Sequence, residues 1–245
     1  NNSAVSSKGV LAVGSQTSGR ILIWNSVPDT NGTPANIVVG SPDFYSTDDG
    51  PTDAYMRNVE GVCFSPDGEK LIASDGNNNR VLIWNTIPTA NAQPADIVIG
   101  QTDFTSSSAG IGPDKFNYPS GVIVTPNGKL IINDYNNNRV LIYNQIPITN
   151  GASADLVVGQ DDFYSNSAGV GANKLYSPWY SDVSPDGRLI IGDIENNRVL
   201  VFNEFPTQNG ASADVVIGQT DFITSTPGVS DRKMYYPVGV TVSPK

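Results

Sequence analysis

The sequence predicts an all-β chain built from four like units, and three observations carry that prediction. One string recurs. It reads RILIWN over Arg20–Asn25, RVLIWN over Arg80–Asn85, RVLIYN over Arg139–Asn144 and RVLVFN over Arg198–Asn203. The period is about 60 residues, which marks an array of supersecondary units. Aliphatic runs alternate with stretches of Gly, Pro, Asn, Ser and Thr, the pattern of short strands joined by ordered turns. The runs are apolar three or four residues in succession, whereas a half-exposed sheet alternates polar with apolar. Both faces of each small sheet must therefore be covered. Four antiparallel strands per unit, stacked face to face around an axis, satisfy this, which is a four-bladed β-propeller.

The second unit shows the elements in order. Gly61–Ser65 reads as a strand, and Pro66-Asp67-Gly68 supplies turn chemistry. Lys70–Ser74 is a second strand, Asp75–Asn79 a second turn and Arg80–Asn85 a third strand. A Pro-containing connection leads to Ala95–Gly100, and a long loop returns to Gly121. In the first unit, Val10–Gly14 aligns with the second strand, so an opening strand is expected to be missing. Gly239–Ser243 is an opening strand with no unit after it. The expected solution is a single domain over 1–245 with one composite blade made from both termini. Its blades run over 1–60 completed by 239–243, 61–120, 121–180 and 181–238. The chain opens at Asn1 with neither initiator methionine nor signal peptide, and is read as a processed chain or an excerpt.

Composition narrows the function classes. Charged residues are 16% of the chain and the net charge is −10, so nucleic acid is not an expected partner. No apolar run reaches the roughly 20 residues of a membrane span, so no membrane insertion is expected. The single cysteine, Cys63, rules out an intrachain disulfide. The chain has no histidine, which removes Ser-His-Asp and Cys-His catalysis and His-based metal sites. Few charges with many Ser, Thr and Asn residues suggest an extracellular or cell-surface protein.

The strings PDGEKLIASDGNNNRVLIWN, PNGKLIINDYNNNRVLIYN and PDGRLIIGDIENNRVLVFN resemble NHL repeats. Those have the form Pro-x-Gly-Val, an Asp ending the second strand, and Asn-x-Arg-Val opening the third. The resemblance extends along essentially the whole chain and implies a β-propeller. A long GQ-x-DF loop stretches each unit, as in similar repeats of secreted bacterial proteins. The amidating-lyase chemistry known on NHL rings depends on zinc and histidine, so the resemblance implies no such activity here. Lactonase-type propellers hold calcium with Glu, Asn and Asp in the channel, and those positions find no match.

Several residues are candidates for sites. Asp75, Asn77 and Asn79 share a D-x-N-x-N spacing with Asp134, Asn136 and Asn138, the start of a calcium loop. Arg80 and Arg139 stand where that loop needs Gly, so the expected role is a turn in which a partly exposed Asp pairs with Arg. Asp193 and Arg198 repeat the pair. Phe44, Phe104, Phe163 and Phe222 of the DF motifs are expected to plug gaps between blades, each preceding Asp capping its turn. The acidic loop with Asp48, Asp49 and Asp53 is a weak Ca²⁺ candidate, and otherwise no cofactor is expected. Trp179 and Tyr180, unique to one unit, are candidates for stacking on a sugar or anchoring a partner, or for packing under the long loop. Val240 and Val242 of the tail are candidates for strand donation to a neighbouring copy.

These features point to a non-enzymatic scaffold or interaction module whose partners are proteins, copies of itself foremost. It would form a filament, a surface layer, or one unit of a tandem propeller protein. A carbohydrate-binding, lectin-like propeller with glycan partners and a calcium-dependent lactonase-like hydrolase are the alternatives.

Overall fold

The computed structural model describes residues 2–47 and 50–243. Sixteen strands form four antiparallel sheets. Blade 1 holds β1 (Ser3–Val5), β2 (Leu11–Ser15), β3 (Arg20–Trp24) and β4 (Ile37–Val39). Blade 2 holds β5 (Val59–Phe64), β6 (Leu71–Asp75), β7 (Arg80–Trp84) and β8 (Ile97–Ile99). Blade 3 holds β9 (Pro119–Val124), β10 (Leu130–Asp134), β11 (Arg139–Tyr143) and β12 (Leu156–Val158). Blade 4 holds β13 (Pro178–Val183), β14 (Leu189–Asp193), β15 (Arg198–Phe202) and β16 (Val215–Ile217). Strands follow chain order within every sheet, so each blade is a meander. The four-bladed, four-stranded propeller plan predicted from the repeat is what the chain adopts.

The composite blade expected from the sequence does not form. Blade 1 is completed from its own N-terminus: β1 pairs with β2, Ser3 opposite Val13 and Val5 opposite Leu11. The cause is a turn that lacks the proline of the other units. Ser6 N–H donates to the Val10 carbonyl as Ser65 N–H donates to that of Lys70, and Gly9 N–H donates to the Ser6 carbonyl as Gly68 N–H does to that of Ser65. Gly9 sits at φ 83°, where the missing Cβ permits the left-handed turn. Ser6-Ser7-Lys8-Gly9 thus does the work of Ser65-Pro66-Asp67-Gly68. Gly239–Ser243, the expected opening strand of blade 1, joins none of the four sheets. It lies against blade 4, where the Val242 N–H donates to Asp182 Oδ2 at 2.7 Å.

Three apolar cores join consecutive blades. The face of blade 1 bearing Ile21, Ile23 and Val39 meets Leu71, Leu82 and Trp84 of blade 2. The opposite face of blade 2, with Ile72, Ile83 and Ile99, meets Leu130, Ile132 and Leu141 of blade 3. Ile131, Ile142 and Val158 of blade 3 meet Leu189, Ile191 and Leu200 of blade 4. Among the described residues, no core of this kind joins blade 4 back to blade 1. Near the axis, Ser3 and Ala4 of blade 1 share a cavity of about 140 Å³ with Val62, Tyr180 and Val240.

If β1 completes blade 1, the Gly14 amide, which donates to the Asn2 carbonyl at 2.6 Å, depends on it. Deleting residues 2–5 is expected to speed hydrogen exchange at Gly14. Deleting 239–243 is expected to leave it unchanged, and mass spectrometry or NMR on the two truncations reads the difference.

Candidate interaction surface

Each blade is pinned at one corner by a buried ion pair. Asp75, Asp134 and Asp193 end the second strands, and Arg80, Arg139 and Arg198 open the third strands directly opposite them. Arginine Nε lies 2.8, 2.8 and 2.7 Å from carboxylate Oδ2 in the three pairs, and all six side chains are fully buried. The partly exposed pair expected from the sequence is therefore a buried one. The turn between the two strands folds the pair inward, beneath the loops it bonds. Asn78, Asn137 and Asn196 donate to the same carboxylate oxygens. The other oxygen accepts backbone N–H groups of Asn58, Asn117 and Tyr176. Burial pushes the Asp134 and Asp193 carboxyls up, and the guanidinium beside each pulls the other way.

These arginines also tie three segments together. Arg80 Nη1 donates to the Phe104 carbonyl of the following loop and Nη2 to the Tyr55 carbonyl of the preceding one. Arg139 and Arg198 repeat the scheme with Phe163 and Phe222. A guanidinium thus occupies the centre of the would-be calcium loop, and the oxygens a cation needs are already bonded. Blade 1 departs from the rule. Ser15 replaces the carboxylate, and Arg20 Nε is buried without a hydrogen-bond partner among the described residues.

The DF loops are structural in their contacts. Phe104, Phe163 and Phe222 pack at the margins of the three inter-blade cores; Phe44 lends its carbonyl to Arg20. Asp103 Oδ1 accepts the N–H groups of Thr105 and Ser106, and bonds from these residues hold its carboxyl down at about 2. Asp43, Asp162 and Asp221 cap their turns in the same way.

The mouth of the axis carries an aromatic cluster. Tyr135 and Trp179 meet edge to face with ring centroids 4.9 Å apart, and Tyr118 lies 5.9 and 6.3 Å from them. Trp179 is half-buried in this cluster. Tyr180 is buried, and its hydroxyl crosses the axis to the Glu60 carbonyl at 2.7 Å. The pair is therefore not one exposed platform; Trp179 packs against Tyr118, a residue of the long loop that precedes blade 3. Beside the cluster lies buried Glu60, whose Oε1 accepts from Gln16, Asn58 and the Tyr118 hydroxyl. Sequence reasoning passed over Glu60, Tyr118 and Tyr135. The available signal was Tyr135 standing where the second unit has Gly76.

Asp48 and Asp49 lie outside the described residues. Asp53 is exposed, and its backbone carbonyl accepts the Ala95 N–H. No group of three or more metal-ligating acids or cysteines occurs among the described residues. Cys63 is buried, and burial pushes its thiol up to about 12, which makes it unreactive.

The largest irregularity is the outward face of blade 4. Ile72 and Ile131, Ile83 and Ile142, and Ile99 and Val158 are buried under the next blade. Their equivalents Ile190 and Val201 are half-buried, and Ile217 is 46% exposed. Ile190 and Val201, with Arg188 and tail residues Val242 and Ser243, line a groove of about 530 Å³.

Residues 116–143 match the family model of the NHL repeat, the resemblance drawn from the sequence. The matched segment contains the Asp134–Arg139 pair, and the other units repeat its plan. Comparison with curated proteins finds no match. Among solved structures, a Bacteroides uniformis protein described as a candidate 6-phosphogluconolactonase is 15% identical, with a TM-score of 0.57 over 98% of this chain and 59% of that one. A chain of the mitotic checkpoint complex is 15% identical, with a TM-score of 0.54 over 89% of this chain and 52% of that one. Kuenenia stuttgartiensis hydrazine synthase is 15% identical, with a TM-score of 0.51 over 82% and 44%. At such identity the likeness is one of fold. This chain spans about half the length of the chains it matches.

Removing one partner of a buried pair strands the other charge, at a cost of about 3–5 kcal/mol. Asp134→Ala is therefore expected to lower unfolding free energy by about that much. Exposed Asp186→Ala, which breaks a surface pair with Arg188, is expected to cost about 1 kcal/mol or less. Denaturant titration of the two variants checks the contrast.

Proposed function

We propose that this chain is a non-enzymatic interaction scaffold of the extracellular space or cell surface. Its partners are proteins, and its propeller units are the building blocks of a filament, a surface layer or a tandem array. The observation that carries the reading is the apolar outward face of blade 4, which stands open where the equivalent face of every other blade is covered. Open apolar surface of this kind calls for a covering group, a further segment of chain or another protein. The NHL repeat and the propeller fold support it, since propellers offer rigid edges and faces to other proteins. Low charge, a lone buried cysteine and abundant Ser, Thr and Asn support the extracellular setting.

A second reading is favoured by one observation. The cluster of Tyr118, Tyr135 and Trp179 at the axis mouth, with the polar group of Glu60, Asn58 and Gln16 beside it, has the chemistry of a glycan site. The lactonase-like alternative draws on the fold of the Bacteroides uniformis relative.

The scaffold reading expects a hydrophobic dye such as anilinonaphthalene sulfonate to bind the folded protein. It expects binding to fall in Ile217→Lys with the melting temperature preserved. It also expects no hydrolysis of 6-phosphogluconolactone above the buffer rate, with or without Ca²⁺. Dye binding unaffected by Ile217→Lys, or lactone turnover, would overturn it. Trp179-dependent binding on a glycan array would shift the assignment to the second reading.

A further inference from the structure

We propose that the axis mouth binds an amino sugar, with the ammonium group on the Glu60 carboxylate and the sugar ring against the aromatic cluster. The inference deepens the glycan reading of this mouth and rests on it. It adds the charge of the ligand and the group that reads it.

Glu60 breaks a rule that the chain otherwise keeps. Asp75, Asp134 and Asp193 are buried, and each carboxylate faces the guanidinium of an arginine. Glu60 is 1% exposed, yet its bonds come from neutral donors: Gln16 Nε2 at 2.7 Å, Asn58 Nδ2 at 2.8 Å and the Tyr118 hydroxyl. All three reach Oε1. Among the described residues, Oε2 accepts no hydrogen bond and no cation pairs with the group. A buried carboxylate is costly unless it is paired as well as hydrogen-bonded. Asn58 adds a second open acceptor beside it. That residue is 7% exposed, and its Oδ1 is buried without a hydrogen-bond partner among the described residues. The groups around the carboxyl come from the blade 1 turn, the start of blade 2 and the loop before blade 3, all internal to the chain.

The site belongs to one unit, and a glycine makes room for it. Ser120 and Trp179 occupy the position of Glu60 in blades 3 and 4, each one residue past the partner of the corner Asp. Gly76 stands where blade 3 has Tyr135, and a Cβ there would meet Glu60 Cγ at 3.0 Å. Tyr118 joins the carboxyl to the aromatic cluster. Its hydroxyl bonds Glu60, and its ring lies 5.9 Å from Tyr135 and 6.3 Å from Trp179. Tyr135 and Trp179 are half-buried, so each leaves part of its ring to the C–H face of a sugar. Gln16 and Asn58 also line a cavity of about 540 Å³ with Thr17, Asn77 and Arg57, so sugar hydroxyls find partners beside the carboxyl. An ammonium brings three N–H donors to Glu60 Oε2 and Asn58 Oδ1, and aromatic rings attract positive charge. Calcium takes six to eight oxygens, more than these two side chains offer. The net charge of −10 draws a cationic sugar and repels an anionic one.

The test compares a glucosamine trisaccharide bearing free amines with its fully N-acetylated counterpart, in mildly acidic buffer where the amines are charged. Binding is followed by the indole N–H signals in NMR. Trp24 and Trp84 donate their indole N–H groups to the Thr33 and Gln93 carbonyls, so only the Trp179 signal is expected to move. The amine form is expected to bind roughly tenfold or more tighter than the acetylated form. Glu60→Gln keeps the shape and the acceptor oxygen but not the charge. It is expected to erase the preference while leaving the Trp24 and Trp84 signals in place. In the wild type, the Glu60 carboxyl carbon is expected to shift on titration with the amine form, which tests the contact without the variant. Equal binding of the two sugars overturns the charge assignment and leaves the glycan reading standing. Binding of neither overturns both. A preference that survives Glu60→Gln, or a Glu60 carbon that stays still, overturns the role of Glu60.

Discussion

An apolar face on each side of a four-stranded sheet has to be covered, and every larger feature of this chain follows from that constraint. Fully burying one Val, Leu or Ile side chain stabilises by about 1.5–3 kcal/mol, and each blade presents several on either side. A single blade would leave both faces in water and could not persist alone. Among the described residues, stacking answers the need for every face but one each of blades 1 and 4. The fold is thus cooperative along the array, each blade holding its neighbour in shape. The same constraint explains why the outermost faces are the most informative surface of the molecule.

The Asp–Arg corners serve a different purpose. Hydrophobic burial is non-directional and leaves the loops between strands unspecified. One guanidinium at each corner fixes the hairpin turn, the DF loop after it and the lead-in loop before it. Such buried pairs are weak as net stabilisers, because desolvation offsets most of the attraction, but leaving either partner buried without the other is strongly destabilising. They hold each lead-in where it delivers the next inner strand to the axis. Blade 1 does without the carboxylate, and Arg20 there makes only part of the network.

Much of the architecture was legible in the sequence because a repeat averages out local ambiguity. Strand runs, turns and the pairing of Asp with Arg each recur at fixed spacing, so one clear unit interprets the others. The opening strand of blade 1 was not legible. Ser6-Ser7-Lys8-Gly9 builds its turn from a serine hydroxyl and a glycine rather than from the proline used elsewhere, and Ser3-Ala4-Val5 is too short to read as a strand. Burial of the ion pairs was also hidden, since a D-x-N-x-N-R string looks like an exposed turn until the DF loop folds over it. The axis mouth was harder still. Tyr118, Tyr135 and Trp179 come from three separate segments, and only the curvature of the stack brings them together. The open face of blade 4 was invisible in principle: Ile190, Val201 and Ile217 occupy the same repeat positions as fully buried residues.

That last point admits a direct measurement. In dilute monomeric protein, a soluble paramagnetic agent should broaden the methyl resonances of Ile190, Val201 and Ile217 while sparing those of Ile72, Ile83 and Ile99 at the equivalent positions of blade 2. Equal protection of the two sets would mean that blade 4 is already closed against blade 1, and the account built on its open face would be wrong.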